Sequence, residues 1–223
     1  MPKIYFSPST QEHNVGVIPG YIEEIEMNQI ADIAIPLLKF NGFDVFRNDR
    51  TKDHIAAKNE SNEIGVDVHF ALHSNAGGGE GTVAFTSGTE NGRRLAQCVY
   101  NEVAPLSPSK DKGVQIPTKR LTEVYGTDAP ATLLEVAFHD DKEDAQWIRE
   151  NHQEIAEAIC KGLCKYFGVT FQMPKPVVER TTAPEGFIYR VQCGAFNYED
   201  NAQILVEKLE KAGFKAYAKL EKK

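Results

Sequence analysis

The apolar positions of the chain fall into short blocks whose period changes from one block to the next. Lys3-Ile4-Tyr5-Phe6 reads as a short strand, and a polar loop marked by Pro and Gly runs from Ser7 to Gly20. From residue 22 to about 40, Ile22, Ile25, Ile30, Ile33, Ala34, Leu37 and Leu38 recur at helical spacing, which predicts a helix with one buried face. Pro36 inside it lacks a backbone donor and predicts a kink; Asn41-Gly42 ends it. Phe43 to Phe46 reads as the next strand and 53–64 as a short polar helix. Val66-Asp67-Val68-His69-Phe70-Ala71-Leu72-His73 is a largely apolar run, as expected of a central strand covered on both faces. A glycine-rich loop (76–81), a strand (81–87), a helix (92–103) and a loop-like stretch (107–119) follow. Ala131 to Phe138 then reads as a second buried strand, with helices over 142–150 and 152–167.

Strands alternating with helices predict an α/β fold, a mainly parallel twisted sheet flanked by helices, over residues 1–169. The stretch 170–186 carries Pro174, Pro176 and Pro184 without periodicity and reads as a linker. From 187 to 223 the pattern restarts as a small β-α-β piece. Phe187 to Gln192 forms its first strand, Glu199 to Ala212 an amphipathic helix ended by Gly213, and Phe214 to Leu220 a second strand. So short a segment cannot build a strong core of its own.

Charge narrows the function. The net charge is −7 and is divided unevenly: residues 1–170 hold 16 Lys and Arg against 25 Asp and Glu, whereas 171–223 hold 9 against 7. An acidic body excludes nonspecific nucleic-acid binding, which depends on cationic side chains displacing counterions. It also disfavours attraction to an anionic membrane. No run approaches the ~20 apolar residues of a membrane span. The start, MPKIYFSPST, does not have the pattern of a secretory signal, so synthesis in the cytoplasm is expected, with action elsewhere only after release. Cys98, Cys160, Cys164 and Cys193 form no metal-binding spacing; Cys160 and Cys164, four apart in a helical pattern, read as buried small hydrophobes.

In parallel α/β sheets, sites form at the carboxyl ends of strands. His73 ends one buried strand, and Glu135 lies inside the other among Leu133, Leu134, Val136 and Ala137. A carboxylate in such a run is costly unless paired or ligated, and burial raises its pKa toward the range useful for proton transfer. Glu135 is therefore the candidate general base and acid. His13 lies in the loop after the first strand and Glu24 begins the following helix. Two imidazoles and a carboxylate can hold a catalytic zinc ion and leave one position open. Each residue also has a plainer reading: His73 as a hydrogen-bonded core residue, His13 as a solvated loop residue, Glu24 as one of several acids suited to a helix start. His69 reads as structural, His54 and His152 as solvated, and His139 as a strand-exit residue that could approach the site.

Three segments together resemble the zinc-dependent N-acetylmuramoyl-L-alanine amidases of the amidase_3 family, over residues 3–168. Phe70-Ala71-Leu72-His73-Ser74-Asn75-Ala76 is similar to the family's strand ending in His-x-Asn-Ala. Glu24-Ile25-Glu26-Met27-Asn28 is similar to its Glu-x-x-x-Asn helix start. Ala129-Pro130-Ala131-Thr132-Leu133-Leu134-Glu135-Val136-Ala137-Phe138, with Asp144 following, is similar to its Pro-Ala-x-Leu-x-Glu-x-x-Phe segment. The resemblance implies one Zn2+ ion held by His13, Glu24 and His73, with Glu135 as the catalytic carboxylate and Asn28 and Asn75 in support. It implies hydrolysis of the amide between N-acetylmuramic acid and L-alanine in peptidoglycan, by an autolysin or a prophage-type lysin. The sequence departs from the family in the first loop: the usual Asp-Pro-Gly-His-Gly-Gly is replaced by Ser7-Pro8-Ser9-Thr10-Gln11-Glu12-His13-Asn14. That departure keeps two alternatives open, a non-catalytic peptidoglycan-binding module and another zinc hydrolase acting on wall peptides. Lys58 stands where many members carry Arg. The tail (Tyr189 to Phe196, Asn201-Ala202, Lys211 to Phe214) resembles the first half of a SPOR domain, which implies binding to glycan strands stripped of peptide.

Overall fold

The computed structural model of the chain describes residues 1–109, 112–174, 194, 199–211 and 216–220. Six strands form one sheet: β1 (Lys3–Pro8), β2 (Asp44–Arg47), β3 (Val68–Asn75), β4 (Val83–Thr86), β5 (Gly113–Gln115) and β6 (Ala131–Phe138), in the order β2-β1-β3-β6-β4-β5. β1, β2, β3 and β6 run parallel; β4 is antiparallel to β6 and parallel to β5. The expected mainly parallel sheet is present, and the two apolar runs form its adjacent central strands. Residues on successive positions of β3 point to opposite faces. Phe70 and Leu72 enter the main core, and His69, Ala71 and His73 face the other way.

The helices divide between the two faces. On the main-core side lie α1 (Glu23–Phe40), α3 (Glu90–Val103), α5 (Lys142–Glu150) and α6 (His152–Phe167). The opposite side carries α2 (His54–Ile64) and α4 (Thr122–Tyr125), over two small apolar clusters, Tyr5/Ala57/Val66 and Ala71/Val124/Leu133. α1 continues as helix through Pro36. The stretch 107–119, expected as loop, contains the short edge strand β5, and α4 arises in a stretch where no element was expected. Both are too short for a periodic signal and exist through pairing with β4 and packing under the sheet. Gly162 in α6 is where α3 crosses closely: a Cβ there would meet the Val99 Cα at 2.5 Å.

A buried ion network ties the start of α1 to the far helices. Glu26, 3% exposed, accepts from Arg149 Nε at 3.0 Å and Nη2 at 2.8 Å, and its other oxygen meets His152 Nε2 at 2.7 Å. His152, expected as solvated, is thus a partly buried partner of Glu26. Burial opposes ionisation of Glu26, but the His152 and Arg149 hydrogen bonds and the Arg149 charge outweigh it, holding the carboxyl below its ordinary pKa.

By contact density the chain divides into two compact units, Met1–Lys175 and Pro176–Lys223. In the second, α7 (Glu199–Lys211) is the amphipathic helix expected, with Val206 buried. The strand expected over 187–192 lies outside the described residues. Of that expected over 214–220, residues 216–220 are described and take no regular structure. Among the described residues no helix is long and apolar enough to cross a membrane.

Gly162→Ala forces α3 and α6 apart and is expected to cost about 1–3 kcal/mol, seen as a Tm drop of about 2–4 °C per kcal/mol. The Glu26 carboxyl, with its folded pKa below its unfolded one, stabilises the fold above the unfolded value; this contribution is lost as pH falls through the folded value. Stability should therefore fall on acidification below about pH 5, and Glu26→Gln should flatten that acid limb in urea titrations at several pH values.

Candidate active site

The site lies at the carboxyl ends of β1, β3 and β6. The parallel register of β3 and β6 sets His73 beside Glu135, with a bulge immediately after His73. Both residues line a cavity of about 290 Å³, together with Gln11, Ser9, Glu123 and Arg120. Its floor is the sheet, and the loop after β1 and the segment around α4 form its walls.

The carboxylate that faces His73 is Glu23. Its Oε1 lies 2.8 Å from His73 Nδ1, and the Ser74 amide approaches the same oxygen at 3.4 Å. Its Oε2 accepts from Asn14 Nδ2 at 2.5 Å. Glu23 is 1% exposed. Burial opposes its charge, but His73, Asn14 and Ser9 more than compensate, so its pKa lies below the ordinary value. Burial likewise opposes a charged His73; the Glu23 hydrogen bond and charge, aided by Glu135 and Glu123, prevail and push its pKa up to about 9. Glu135 goes the other way. Desolvation raises it, His73 lowers it, Glu23 raises it again, and the balance is about 7. Its Oε2 is buried with no hydrogen-bond partner.

The other expected residues are placed as follows. Glu24 is turned away from His73 and pairs with Arg50, at 3.1 Å to Nε and 2.9 Å to Nη2. One residue along a helix rotates a side chain by ~100°, so Glu23 and Glu24 cannot face the same point. His13 has a side chain 92% exposed and touches Glu12 at 3.5 Å, outside the cluster. Asn28 is buried and donates to the Ser9 and Glu24 carbonyls at 3.0 and 2.7 Å, while its Oδ1 accepts from Arg47. It holds the β1 loop to α1. The Asn75 side chain accepts from the Ala76 amide and its carbonyl from the His139 amide, so it shapes the strand exit. Of the zinc set expected from the resemblance, the structure thus brings His73 to the site and leaves His13 and Glu24 outside it.

Behind the site, the Tyr21 hydroxyl donates to Ser74 Oγ at 3.0 Å, and Ser74 Oγ meets His139 Nδ1 at 2.9 Å. His139 approaches the site only through Ser74. On the cavity side, the fully buried His69 stacks on Tyr5 at 5.2 Å and meets Glu123 Oε1 at 3.0 Å. Burial opposes the Glu123 charge, and His69, with His73 and Ser7, overcomes it and lowers the pKa. Glu123 lies in a stretch with no periodic signal. Glu23 was hidden by its acidic neighbours, and Gln11 by lying in an irregular loop.

Among the described residues no three His, Cys, Asp or Glu side chains converge as a complete metal-binding group. A pair does converge. The His73 nitrogen and the Glu23 oxygen are of the types that zinc prefers, and bonds of ~2.0–2.1 Å in a tetrahedron place neighbouring donors roughly 3.3 Å apart. Their 2.8 Å separation is compatible with that after small adjustment. The unpartnered Glu135 oxygen lies on the neighbouring strand, in the same cavity. The pair fits a zinc ion as two of its protein ligands.

An α/β sheet with an imidazole, a paired carboxylate and a desolvated second carboxylate at its parallel strand ends has the layout of a hydrolase. Residues 7–165 match the family profile Amidase_3, N-acetylmuramoyl-L-alanine amidase, and residues 185–223 match the SPOR domain. The chain belongs to the Amidase_3 family. It is 24% identical to the N-acetylmuramoyl-L-alanine amidase CwlM of Bacillus licheniformis, over 97% of this chain and 84% of that one. It is 25% identical to the sporulation-specific N-acetylmuramoyl-L-alanine amidase of Bacillus subtilis (strain 168), over 86% and 69%. The same fold occurs in the catalytic domain of CwlV from Bacillus (Paenibacillus) polymyxa var. colistinus, with TM-score 0.68, 21% identity and coverage of 76% of this chain and 100% of that one. It also occurs in AmiC2 of Nostoc punctiforme, with TM-score 0.67, 18% identity and coverage of 75% and 97%.

Removing the Glu123 side chain leaves His69 buried without its Nε2 partner. Glu123→Ala should cost about 1–3 kcal/mol of stability, measured by denaturant unfolding, while Tyr5→Phe, which removes only the hydroxyl bonded to Glu60, should cost less.

Proposed function

We propose that this protein hydrolyses the amide between N-acetylmuramic acid and L-alanine of peptidoglycan with one zinc ion, and that Glu135 is its proton-transfer group. The observation that carries the reading is Glu135 itself: a desolvated carboxylate, unpartnered at Oε2, beside His73 in the cavity of an Amidase_3 domain. A structural carboxylate so placed would leave an unmet polar atom at a cost in stability. A catalytic one needs that atom free for substrate and water.

Glu23 and His73 would hold the zinc. The chemistry that the ion supplies when bound is Lewis acidity, which polarises the amide carbonyl and makes water acidic enough to ionise near neutral pH. Glu135 takes a proton from the attacking water as its oxygen bonds to the carbonyl carbon. As the C–N bond breaks, the same carboxyl returns that proton to the departing amine of L-alanine. The lactyl carboxyl is the other product. With its pKa near 7, Glu135 can both accept and return a proton at neutral pH. Asn14 and the Ser74 amide fix the Glu23 carboxylate. The match of residues 185–223 to the SPOR domain supports binding to glycan strands by the tail. The biological role we read is that of an autolysin or prophage-type lysin.

One observation favours a second reading, a wall-binding module without turnover: His13 lies outside the site. A single assay separates them. Purified sacculi incubated with the protein should release new N-terminal L-alanine, and Glu135→Gln should lower the rate by about 10²–10⁴-fold. Sacculus binding without any such release would support the module, and new reducing sugar ends in its place would refute an amidase.

A further inference from the structure

The loop after β1 places an amide where the sequence led us to expect an imidazole. Gln11 Nε2 lies 3.2 Å from His73 Nδ1, the atom that Glu23 Oε1 approaches at 2.8 Å. These two contacts cannot both be hydrogen bonds. Nδ1 carries either a hydrogen or a lone pair. A hydrogen suits the Glu23 oxygen and opposes the Gln11 amino group; a lone pair suits the amino group and opposes the oxygen. The conflict sits at one nitrogen of a largely buried side chain, where poor pairing is costly.

A turn of the carboxamide by 180° exchanges its oxygen and nitrogen at almost no change in shape. With the oxygen toward His73, three lone-pair donors converge: an imidazole nitrogen, a carboxylate oxygen and an amide oxygen. Without metal, a hydrogen on Nδ1 serves both oxygens; in the place of that hydrogen, a cation meets all three lone pairs. The 3.2 Å separation of Gln11 from His73 is close to the roughly 3.3 Å edge of a zinc tetrahedron. The turn also sets Gln11 Nε2 against Asn14 Nδ2, donor against donor where the contact is now a 3.0 Å hydrogen bond, a cost that the metal bond must outweigh; Asn14 retains Glu23 Oε2.

Resting on the zinc reading above, we infer that Gln11 is the third protein ligand of the metal and donates through Oε1, in the role that the loop histidine would otherwise fill. A neutral amide oxygen is a weaker partner for zinc than an imidazole nitrogen, so this chain holds its ion less tightly than a His, Glu, His set would.

Zinc titration calorimetry of the full chain, with folding followed by circular dichroism, tests the assignment. Wild type should bind one zinc. Gln11→Ala should weaken binding by about tenfold or more, and Gln11→His should tighten it by about 10–100-fold, the range over which changes around a metal alter its affinity. His13→Ala should bind as wild type. Zinc X-ray absorption should show one imidazole in wild type and two in Gln11→His. Equal affinity of Gln11→Ala and wild type, with Glu23→Gln much weaker, would overturn the Gln11 assignment and leave the zinc reading standing. Loss of binding in folded His13→Ala would overturn it as well. A folded wild type that takes up no zinc would overturn both.

Discussion

The in-register pairing of β3 with β6 is the constraint on which the site depends. Parallel strands align their carboxyl ends, so the last residues of both meet the same pool of solvent and the same loops. His73 lies opposite Glu135 only in this register. A slip of one residue would turn one of them into the main core among Phe70, Leu72 and Leu134. The apolar demand of that core therefore sets His73 and Glu135 side by side. α4 and the β1 loop, on the other face, need only close the cavity.

Four buried or partly buried glutamates show how the fold manages charge near this pairing. Glu26 has Arg149 and His152, Glu123 has His69, and Glu23 has His73 with Asn14. Each of these three has a partner that offsets desolvation, and each has its pKa lowered. Glu135 has an unpartnered oxygen and its pKa is raised. Paired acids tie elements together: Glu26 joins α1 to α5 and α6, and Glu123 anchors α4 to β3. The one with an unpartnered oxygen is the one for which we propose proton transfer. Breaking a buried pair is costly because the remaining group stays buried, so this division of roles is also a division between stability and activity.

The strands and long helices were legible because each buries one face, and burial writes a period into the residue order. Glu135 was legible for the same reason, as the single charge in an apolar run. Glu23 was not, because Glu23, Glu24 and Glu26 are chemically alike and the spacing to Asn28 singles out Glu24, whereas the fold turns Glu23 toward His73 and Glu24 toward Arg50. The helix starts at Glu23 and its phase against β3 is set by packing on α6 and the sheet, which no local pattern records. His13 is the histidine of the loop after β1; that loop is irregular, and its path leaves His13 in solvent and puts Gln11 against His73. β5 and α4 were missed because elements of three or four residues carry no period.

The residue order by itself determined the α/β class, the two central strands, the acidic body and the presence of one carboxylate that had to be paired or functional. Those follow from the cost of burying polar groups, which acts residue by residue along the chain. Tertiary structure decided which acid faces His73, which loop side chain closes the cluster, and which histidines are only structural. These are matters of direction across 50 or more residues of sequence, as in the Glu23–His73 and Gln11–His73 contacts. Direction is set by the packing of whole helices and strands and is not encoded at any one position.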